Sequence, residues 1–109
     1  DADRSFPERP RRAGMNRWFH PEFETDLIAA ARYYKARQPR LGAEFLDAAE
    51  AAIETIMSAP TRWPARLGGV RRHLLDRFPY QIRYRVTADT VQFLSILHGA
   101  RHPETGRDR

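Results

Sequence analysis

The sequence predicts an α+β domain in which an N-terminal edge strand and an antiparallel two-helix hairpin pack on a C-terminal antiparallel three-stranded meander. Three observations indicate this class. The chain has 109 residues, which suffices for one hydrophobic core. Between residues 21 and 59 the apolar residues recur with the period of a helix, whereas from Val70 onward they alternate as in a strand. Helices followed by strands are typical of a layer of helices on one face of a sheet.

The first predicted strand is the short apolar run Trp18-Phe19-His20, at an edge of the sheet. Pro21 follows and suits the first position of a helix, where its missing N–H costs nothing. Pro39 and Gly42 are expected to bracket the break after this helix. The apolar residues that predict its buried face are Phe23, Leu27, Ala30, Ala31 and Tyr34.

A second helix is predicted from about Leu41 to Ala59, where Pro60 stops it. The connection to the first helix is only a few residues long, so the two helices should form an antiparallel hairpin. The apolar stripe of the second helix is Phe45, Ala49, Ala52, Ile53 and Ile56. Its acidic residues share one side, which predicts a solvated face; they are Glu44, Asp47, Glu50 and Glu54.

The meander is predicted from three short segments that start at Val70. In residues 80–86 apolar and polar side chains alternate, as in a half-buried strand. Residues 91–97 are nearly continuously apolar, as in a central strand that is covered on both sides. The short links at residues 76–79 and 87–90 favour antiparallel neighbours. We therefore expect one domain over residues 15–102, a mobile tail at 1–14 and a loose tail at 103–109.

The composition excludes several classes of protein. The chain is 41% apolar and 30% charged, as globular proteins are. No apolar run approaches the roughly 18 residues that a membrane span needs, and residues 1–17 lack the apolar core of a secretory signal. The chain has no cysteine, so disulfides and thiolate metal sites are ruled out. We therefore expect a cytoplasmic protein without membrane contact, metal or cofactor.

Charge is distributed unevenly along the chain. Residues 60–109 carry ten arginines and four acidic residues, a balance of +6, whereas residues 18–59 carry four basic and seven acidic residues, a balance of −3. A cationic strand-rich half beside an acidic helical half predicts that the sheet meets an anionic partner. Nucleic acid and an acidic protein segment both satisfy this prediction.

Five strings follow one another along the chain at characteristic spacing. They are ARYYKARQPRLGAEFLDAAEAAIETI at residues 31–56, P-x-R-W-P at 60–64, GVRRHLL at 69–75, RFPYQIRYRV at 77–86 and VQFLSILHGARHPE at 91–104. The ordered set resembles the RelE/ParE toxin superfamily of bacterial type II toxin–antitoxin modules, nearer its ParE-like branch. The resemblance spans residues 17–104, all but the two tails.

This resemblance implies a growth-inhibiting toxin of the plasmid-stabilisation type, neutralised by a cognate antitoxin that crosses the helix hairpin and the sheet. The targets within the superfamily divide. RelE-like members cut messenger RNA on the ribosome, whereas ParE-like members act on DNA gyrase without being nucleases. The fold does not choose between these activities, and only the residues of the site can.

The candidate contacts for the target or antitoxin come mainly from the cationic half. They are Trp63, Arg71, Arg72, Arg83, Arg85, His98 and Arg101. Arg83 and Arg85 lie two apart on one strand and therefore project from the same face. An exposed Trp63 would be a hot spot for binding. A solvated outer strand face also explains the spacing of the two arginines, and His98 also fits a structural histidine.

RNA cleavage without a metal needs a base, an acid and cations around the phosphate. If the protein is a nuclease, the candidates are His98, Arg83, Arg85 and Arg71, with the arginines clamping a phosphate. His98 corresponds to a strand-end position where some RelE-like nucleases carry a catalytic histidine. Gly99 and Ala100 follow it in place of the usual tyrosine. The resemblance, together with the lack of a convincing acid–base pair, therefore implies a non-catalytic inhibitor of gyrase; the alternatives are a ribosome-dependent endoribonuclease and a degenerate toxin that only binds its antitoxin.

Overall fold

A computed structural model describes residues 15–99, so both predicted tails lie outside the described residues. The elements in chain order are β1 (Asn16–Phe19), α1 (Pro21–Arg37), α2 (Pro39–Ser58), a short 3₁₀ turn (Leu67–Gly69), β2 (Val70–Leu74), β3 (Tyr80–Val86) and β4 (Thr90–His98). The predicted α+β class, with a helix hairpin and a three-stranded meander, is confirmed.

The four strands form one mixed sheet in the order β1-β4-β3-β2. The meander β2-β3-β4 is antiparallel, and β1 adds to it at an edge, parallel to β4. The helix hairpin, β2 and β3 separate β1 from β4 in the chain, and a connection of this length allows parallel pairing. β1 starts two residues earlier than predicted and ends at Phe19. His20 instead caps α1, since its Nδ1 accepts a hydrogen bond from the Glu22 N–H at 3.0 Å.

The helix hairpin turns more tightly than the sequence predicted. Only Gln38, in an extended conformation, separates α1 from α2, and α2 begins at Pro39. Proline is tolerated there because the first helical N–H has no partner inside the helix. Gly42 therefore lies within α2 and not in the break. A Cβ at this position would come within 2.9 Å of Lys35 Cβ and 3.0 Å of the Ala31 carbonyl oxygen, so glycine allows the two helices to approach closely.

The core lies between the hairpin and one face of the sheet. Aromatic rings make up one end of it: Phe45 packs against Phe78 and Tyr80, with ring centroids 5.2 and 5.0 Å apart. Burial of each large apolar side chain stabilises the fold by about 1.5–3 kcal/mol. The large apolar side chains with the least exposure are Phe23, Phe45, Ile56, Ile82, Tyr84, Val91, Phe93 and Ile96.

A β-bulge interrupts the pairing of β3 with β4. Tyr84 is opposite Phe93, but the preceding residue Arg83 is opposite Ser95, so Leu94 has no partner on β3. An unpaired residue shifts the alternation of side chains by one position. As a result Ile96 and His98 face the helices together with Phe93, whereas Ser95 faces the other way. This shift decides which side of the sheet each candidate residue occupies.

Candidate interaction surfaces

The register assigns the predicted cationic residues to two different faces of the sheet. Directly paired residues on neighbouring strands project to the same side. Arg72 is opposite Arg83, and Arg85 is opposite Val70, on the face that points away from the helices. Arg71 is opposite Tyr84, and His98 is opposite Tyr80, on the face that packs against the helices. The predicted set therefore does not form one surface.

We call Arg72, Arg83 and Arg85 the arginine face. Arg72 and Arg83 lie directly across from each other on β2 and β3. Like charges in this position repel each other and destabilise the strand pair. The charge pattern of the sequence predicts an anionic partner for this face, and that stays a prediction.

Arg85 is oriented by the turn that precedes β2. Its Nε donates a hydrogen bond to the carbonyl oxygen of Gly68 at 2.9 Å. Gly68 and Gly69 have φ angles of +73° and +77°, a region that glycine adopts without strain. The two glycines therefore let the turn lie beneath the Arg85 side chain and hold it along the sheet.

Ser95 lies in the same row as Arg72 and Arg83, but it is buried and is not part of the accessible arginine face. It lies opposite Arg83 on β4, and its side chain is fully buried. Among the described residues its Oγ has no hydrogen-bond partner. Arg72, Arg83 and Ser95 thus form one row across β2, β3 and β4, with two cationic donors and one hydroxyl.

Arg71 has a structural role on the opposite face. Its Nη1 donates hydrogen bonds to the carbonyl oxygens of Trp63 and Thr61, the latter at 3.4 Å. The neighbouring Tyr84 hydroxyl donates to the Pro60 carbonyl oxygen at 2.7 Å. Burial raises the pKa of Tyr84 to about 12, and the nearby Arg71 cation opposes part of that increase. Together the two side chains hold the segment after α2 against the sheet.

Trp63 is half-buried and packs against the core. Its ring lies 4.4 Å from the ring of His73, centroid to centroid, and the Arg62 guanidinium lies 5.4 Å from its centroid. Burial lowers the pKa of His73. Trp63 is thus less exposed than the condition for a binding hot spot assumed, and its role in binding stays a prediction.

His98 lies in a cleft on the helix side of the sheet. The ring of His98 is 5.2 Å from the Tyr80 ring, edge to face. The cleft has a volume of about 600 Å³, and α1 contributes Asp26, Tyr33 and Arg37 to its wall. Sequence reasoning missed this cleft. The spacing of the three residues, about two and three turns along one side of α1, is the signal that could have found it.

The candidate nuclease residues are not brought together. His98 and the pair Arg83 and Arg85 project from opposite faces of the sheet. Arg71 lies on the helix face together with His98. However, Arg71 is opposite Tyr84 and His98 is opposite Tyr80, and these two residues of β3 are about 13 Å apart along the strand. Arg101 lies outside the described residues. Within residues 15–99, no three His, Cys, Asp or Glu side chains are grouped so that they could hold a metal ion.

Comparison with known proteins identifies the family. The protein-family model that describes the ParE toxin of the type II toxin–antitoxin system parDE matches residues 18–103. Toxin ParE2 of Mycobacterium tuberculosis, from strains CDC 1551 / Oshkosh and ATCC 25618 / H37Rv, is 31% identical over an alignment of 88 residues, and the match covers 77% of this chain and 81% of the relative. The chain therefore belongs to the ParE toxin family of type II toxin–antitoxin systems, and the predicted resemblance is confirmed.

A solved structure supports the same fold. A chain of the chromosomal ParDE TA system from P. aeruginosa matches with a TM-score of 0.70 and 20% sequence identity, covering 78% of this chain and 96% of that chain. At this identity the likeness concerns the fold. Within residues 15–99, neither helix is long and apolar enough to span a membrane.

Proposed function

We propose that this ParE-family toxin inhibits growth by binding DNA gyrase without catalysis, and that a cognate antitoxin neutralises it in the cytoplasm. The observation that supports this proposal is the placement of His98 and Arg83 on opposite faces of the sheet. A base and a phosphate-binding cation must reach the same phosphodiester for general acid–base cleavage. Within residues 15–99, His98 and Arg83 do not project to the same face of the sheet.

The arginine face is the surface that we assign to the target or the antitoxin. Arg72, Arg83 and Arg85 present three guanidinium groups from two neighbouring strands. Guanidinium groups bind carboxylates through paired, charge-assisted hydrogen bonds. An acidic protein segment that lies across β2 and β3 therefore fits this face.

The test combines a supercoiling assay with purified toxin and a map of transcripts from cells in which the toxin has been briefly induced. Purified toxin should inhibit supercoiling by gyrase in vitro, and transcripts mapped by primer extension should remain intact. Cuts at regular codon positions together with normal supercoiling would instead identify a ribosome-dependent nuclease. A chain whose overexpression is harmless but which binds antitoxin would be a degenerate binding module.

One observation favours the nuclease as the second candidate. The Arg72–Arg83 pair suits a phosphate as well as a carboxylate, because both anions accept bidentate hydrogen bonds. A nuclease that used this pair would need a base on the outer face, and His98 does not lie there. Primer extension on cells that express the wild type or the Arg72→Glu variant tests the nuclease. If this pair binds the phosphate, transcript cleavage by the wild type should disappear in the variant.

A further inference from the structure

The cleft of about 600 Å³ between α1 and the end of β4 has no part in the proposed function. We call it the α1 cleft. Its volume is in the range of pockets that bind small molecules. It opens on the helix side of the sheet, whereas the arginine face projects from the other side. A ligand in the α1 cleft would therefore leave the arginine face uncovered.

Aromatic rings follow one another along the α1 cleft. The Tyr33 ring lies 5.2 Å from Tyr34, which lies 6.1 Å from Tyr80, centroid to centroid. The Tyr80 ring lies 5.2 Å from His98 on the sheet side of the cleft. Tyr33 is 51% exposed, so a further planar ring can lie against it. These side chains favour a ligand with a flat aromatic part.

Arg37 places a cation beside the exposed ring. Its guanidinium group lies over the Tyr33 ring, 4.8 Å from the centroid. Within residues 15–99, Arg37 makes no ion pair with a carboxylate. A guanidinium group carries five N–H donors, so Arg37 can donate to a ligand while it stays beside the ring. Such donors bind phosphate in pairs, which favours a ligand with an anionic group.

Asp26 contributes a carboxylate to the same wall of the cleft. Its side chain is half-buried. A carboxylate offers about four acceptor sites, so Asp26 can accept a hydrogen bond from a ligand in addition to the interaction that it already makes. It repels anions and accepts hydrogen bonds from amino groups. The ligand therefore needs an N–H donor near Asp26 and its anionic group near Arg37.

The order of these groups along α1 matches that of a nucleotide. Tyr33 follows Asp26 by seven residues and Arg37 follows Tyr33 by four, which correspond to about 10 and 6 Å along the helix. Steps of seven and four residues keep all three on one side of the helix. The small residues Ala29 and Ala30 stand between Asp26 and Tyr33 and leave room. In a nucleotide the amino group, the flat base and the phosphate follow in the same order.

We propose that the α1 cleft binds a free nucleoside phosphate, with the base against Tyr33, its amino group on Asp26 and the phosphate on Arg37. A hydrocarbon chain does not fit, because the wall carries a charged group toward each end. The inference goes beyond the proposed function and does not depend on it, since the two use opposite sides of the sheet. Each can fail without the other.

The test measures binding of mant-ADP, an ADP analogue with a fluorescent group on the ribose, to purified full-length toxin by fluorescence anisotropy. Physiological salt screens attraction between exposed charges. Unlabelled ADP and adenosine then compete for the site. Arg37→Gln should weaken ADP at least tenfold and leave adenosine, which lacks phosphate, within twofold. Tyr33→Ala should weaken both at least tenfold, whereas Tyr33→Phe keeps the ring and should bind as the wild type does.

The matched control is Arg32→Gln. Arg32 is an exposed cation of α1 that is not part of the cleft lining, so its replacement should change ADP binding less than twofold. Thermal unfolding of each variant checks that the fold is retained. A loss of ADP binding in Arg32→Gln as large as in Arg37→Gln would overturn the proposal, because it would reflect the charge of α1 and not the cleft.

The choice of base tests Asp26. ADP, GDP and CDP carry an amino group on the base and UDP does not, so UDP should compete at least tenfold less well. Asp26→Asn should reduce this preference, because an amide donates as well as accepts. Equal affinity of the wild type for ADP and UDP would contradict the proposed contact.

Three further results would overturn the proposal. Absence of mant-ADP binding at millimolar concentration would do so and leave the proposed function standing. Loss of binding in Arg72→Glu/Arg83→Glu, but not in Arg37→Gln, would assign the phosphate to the arginine face. A short oligonucleotide that binds more tightly than ADP and is lost in Arg37→Gln would assign the cleft to a nucleic acid strand.

Discussion

Arg83 and His98 project from opposite faces of one sheet, although β3 and β4, which carry them, are hydrogen-bonded neighbours. Arg83 is opposite Ser95 and points away from the helices, whereas His98 is opposite Tyr80 and faces α1. A catalytic site that used both side chains would have to reach through the sheet. This relationship is the main reason to expect a binding protein and not a nuclease, and it leads to separate predictions for the two residues.

Charge reversal on the arginine face should abolish growth inhibition or antitoxin binding without unfolding the protein. We expect the double variant Arg72→Glu/Arg83→Glu to lose at least tenfold in affinity, because it places two carboxylates where we propose that an anionic partner binds. Growth after induction and binding to the antitoxin are the measurements. Arg40→Glu, an exposed site at the start of α2, is the control and should behave as the wild type. A fully toxic double variant that binds antitoxin normally would falsify the assignment of this face.

His98→Gln should leave toxicity nearly unchanged. The side chain lies in the helix-side cleft beside Tyr80, away from the arginine face, and glutamine preserves its hydrogen-bonding capacity. Growth curves and gyrase supercoiling assays of the variant test this expectation. Loss of toxicity together with loss of transcript cleavage would show that His98 is catalytic and would contradict our proposal.

Arg71 and Arg72 are adjacent in sequence, but their replacement should have opposite consequences. Arg71→Met should lower the free energy of unfolding by about 1–3 kcal/mol, because the carbonyl oxygens of Trp63 and Thr61 lose their donor. Arg72→Met should change stability by less than about 0.5 kcal/mol, as surface substitutions usually do, and should weaken partner binding. Urea unfolding monitored by tryptophan fluorescence measures the first effect. Equal stability of the two variants would show that Arg71 does not hold the segment after α2 against the sheet.

Tyr84→Phe should cost about 1 kcal/mol at neutral pH, because it removes the hydrogen bond to the Pro60 carbonyl oxygen. The same hydroxyl makes stability depend on alkaline pH. Its pKa is about 12 in the folded protein and 10.0 ordinarily, so the unfolded chain loses this proton first. The stabilisation is complete below pH 10 and is lost as the pH rises to about 12.

Thermal midpoints measured at several alkaline pH values test this dependence. Between pH 10 and 12 the wild type should lose more stability than Tyr84→Phe, so the two curves converge. Parallel curves over that range would mean that the Tyr84 hydroxyl does not titrate differently in the folded and unfolded states.

The sequence was sufficient for the fold class because the periodicity of the apolar residues reports which side of each element is buried. The spacing of the apolar residues alone predicts the helix faces around Phe23 and Phe45 and the alternation in residues 80–86. The tight helix turn at Gln38 was less visible, because Gly42 resembles a helix break in sequence. Its close contact with α1 exists only once the two helices pack together.

The candidate site depended on tertiary structure in two ways. The first way concerns three residues that the sequence does not distinguish: Arg71, Arg72 and Trp63. In the structure Arg71 donates hydrogen bonds to the backbone around Trp63, whereas Arg72 projects from the opposite face of the sheet. The second way is through the β-bulge at Leu94, which sets the face to which His98 projects. Strict alternation from Val91 would place His98 on the face of Arg83. Residues 91–97 are apolar apart from Gln92 and Ser95, so no pattern in them reveals a one-residue shift.

The sequence by itself thus determined the family, the helical and strand segments and the surplus of arginines in the sheet. Only the tertiary structure decided that these arginines and His98 do not share a surface. The physical reason is that burial fixes periodicity along each strand, whereas strand register follows from pairing with a neighbour. A single unpaired residue moves every later side chain of β4 to the other face.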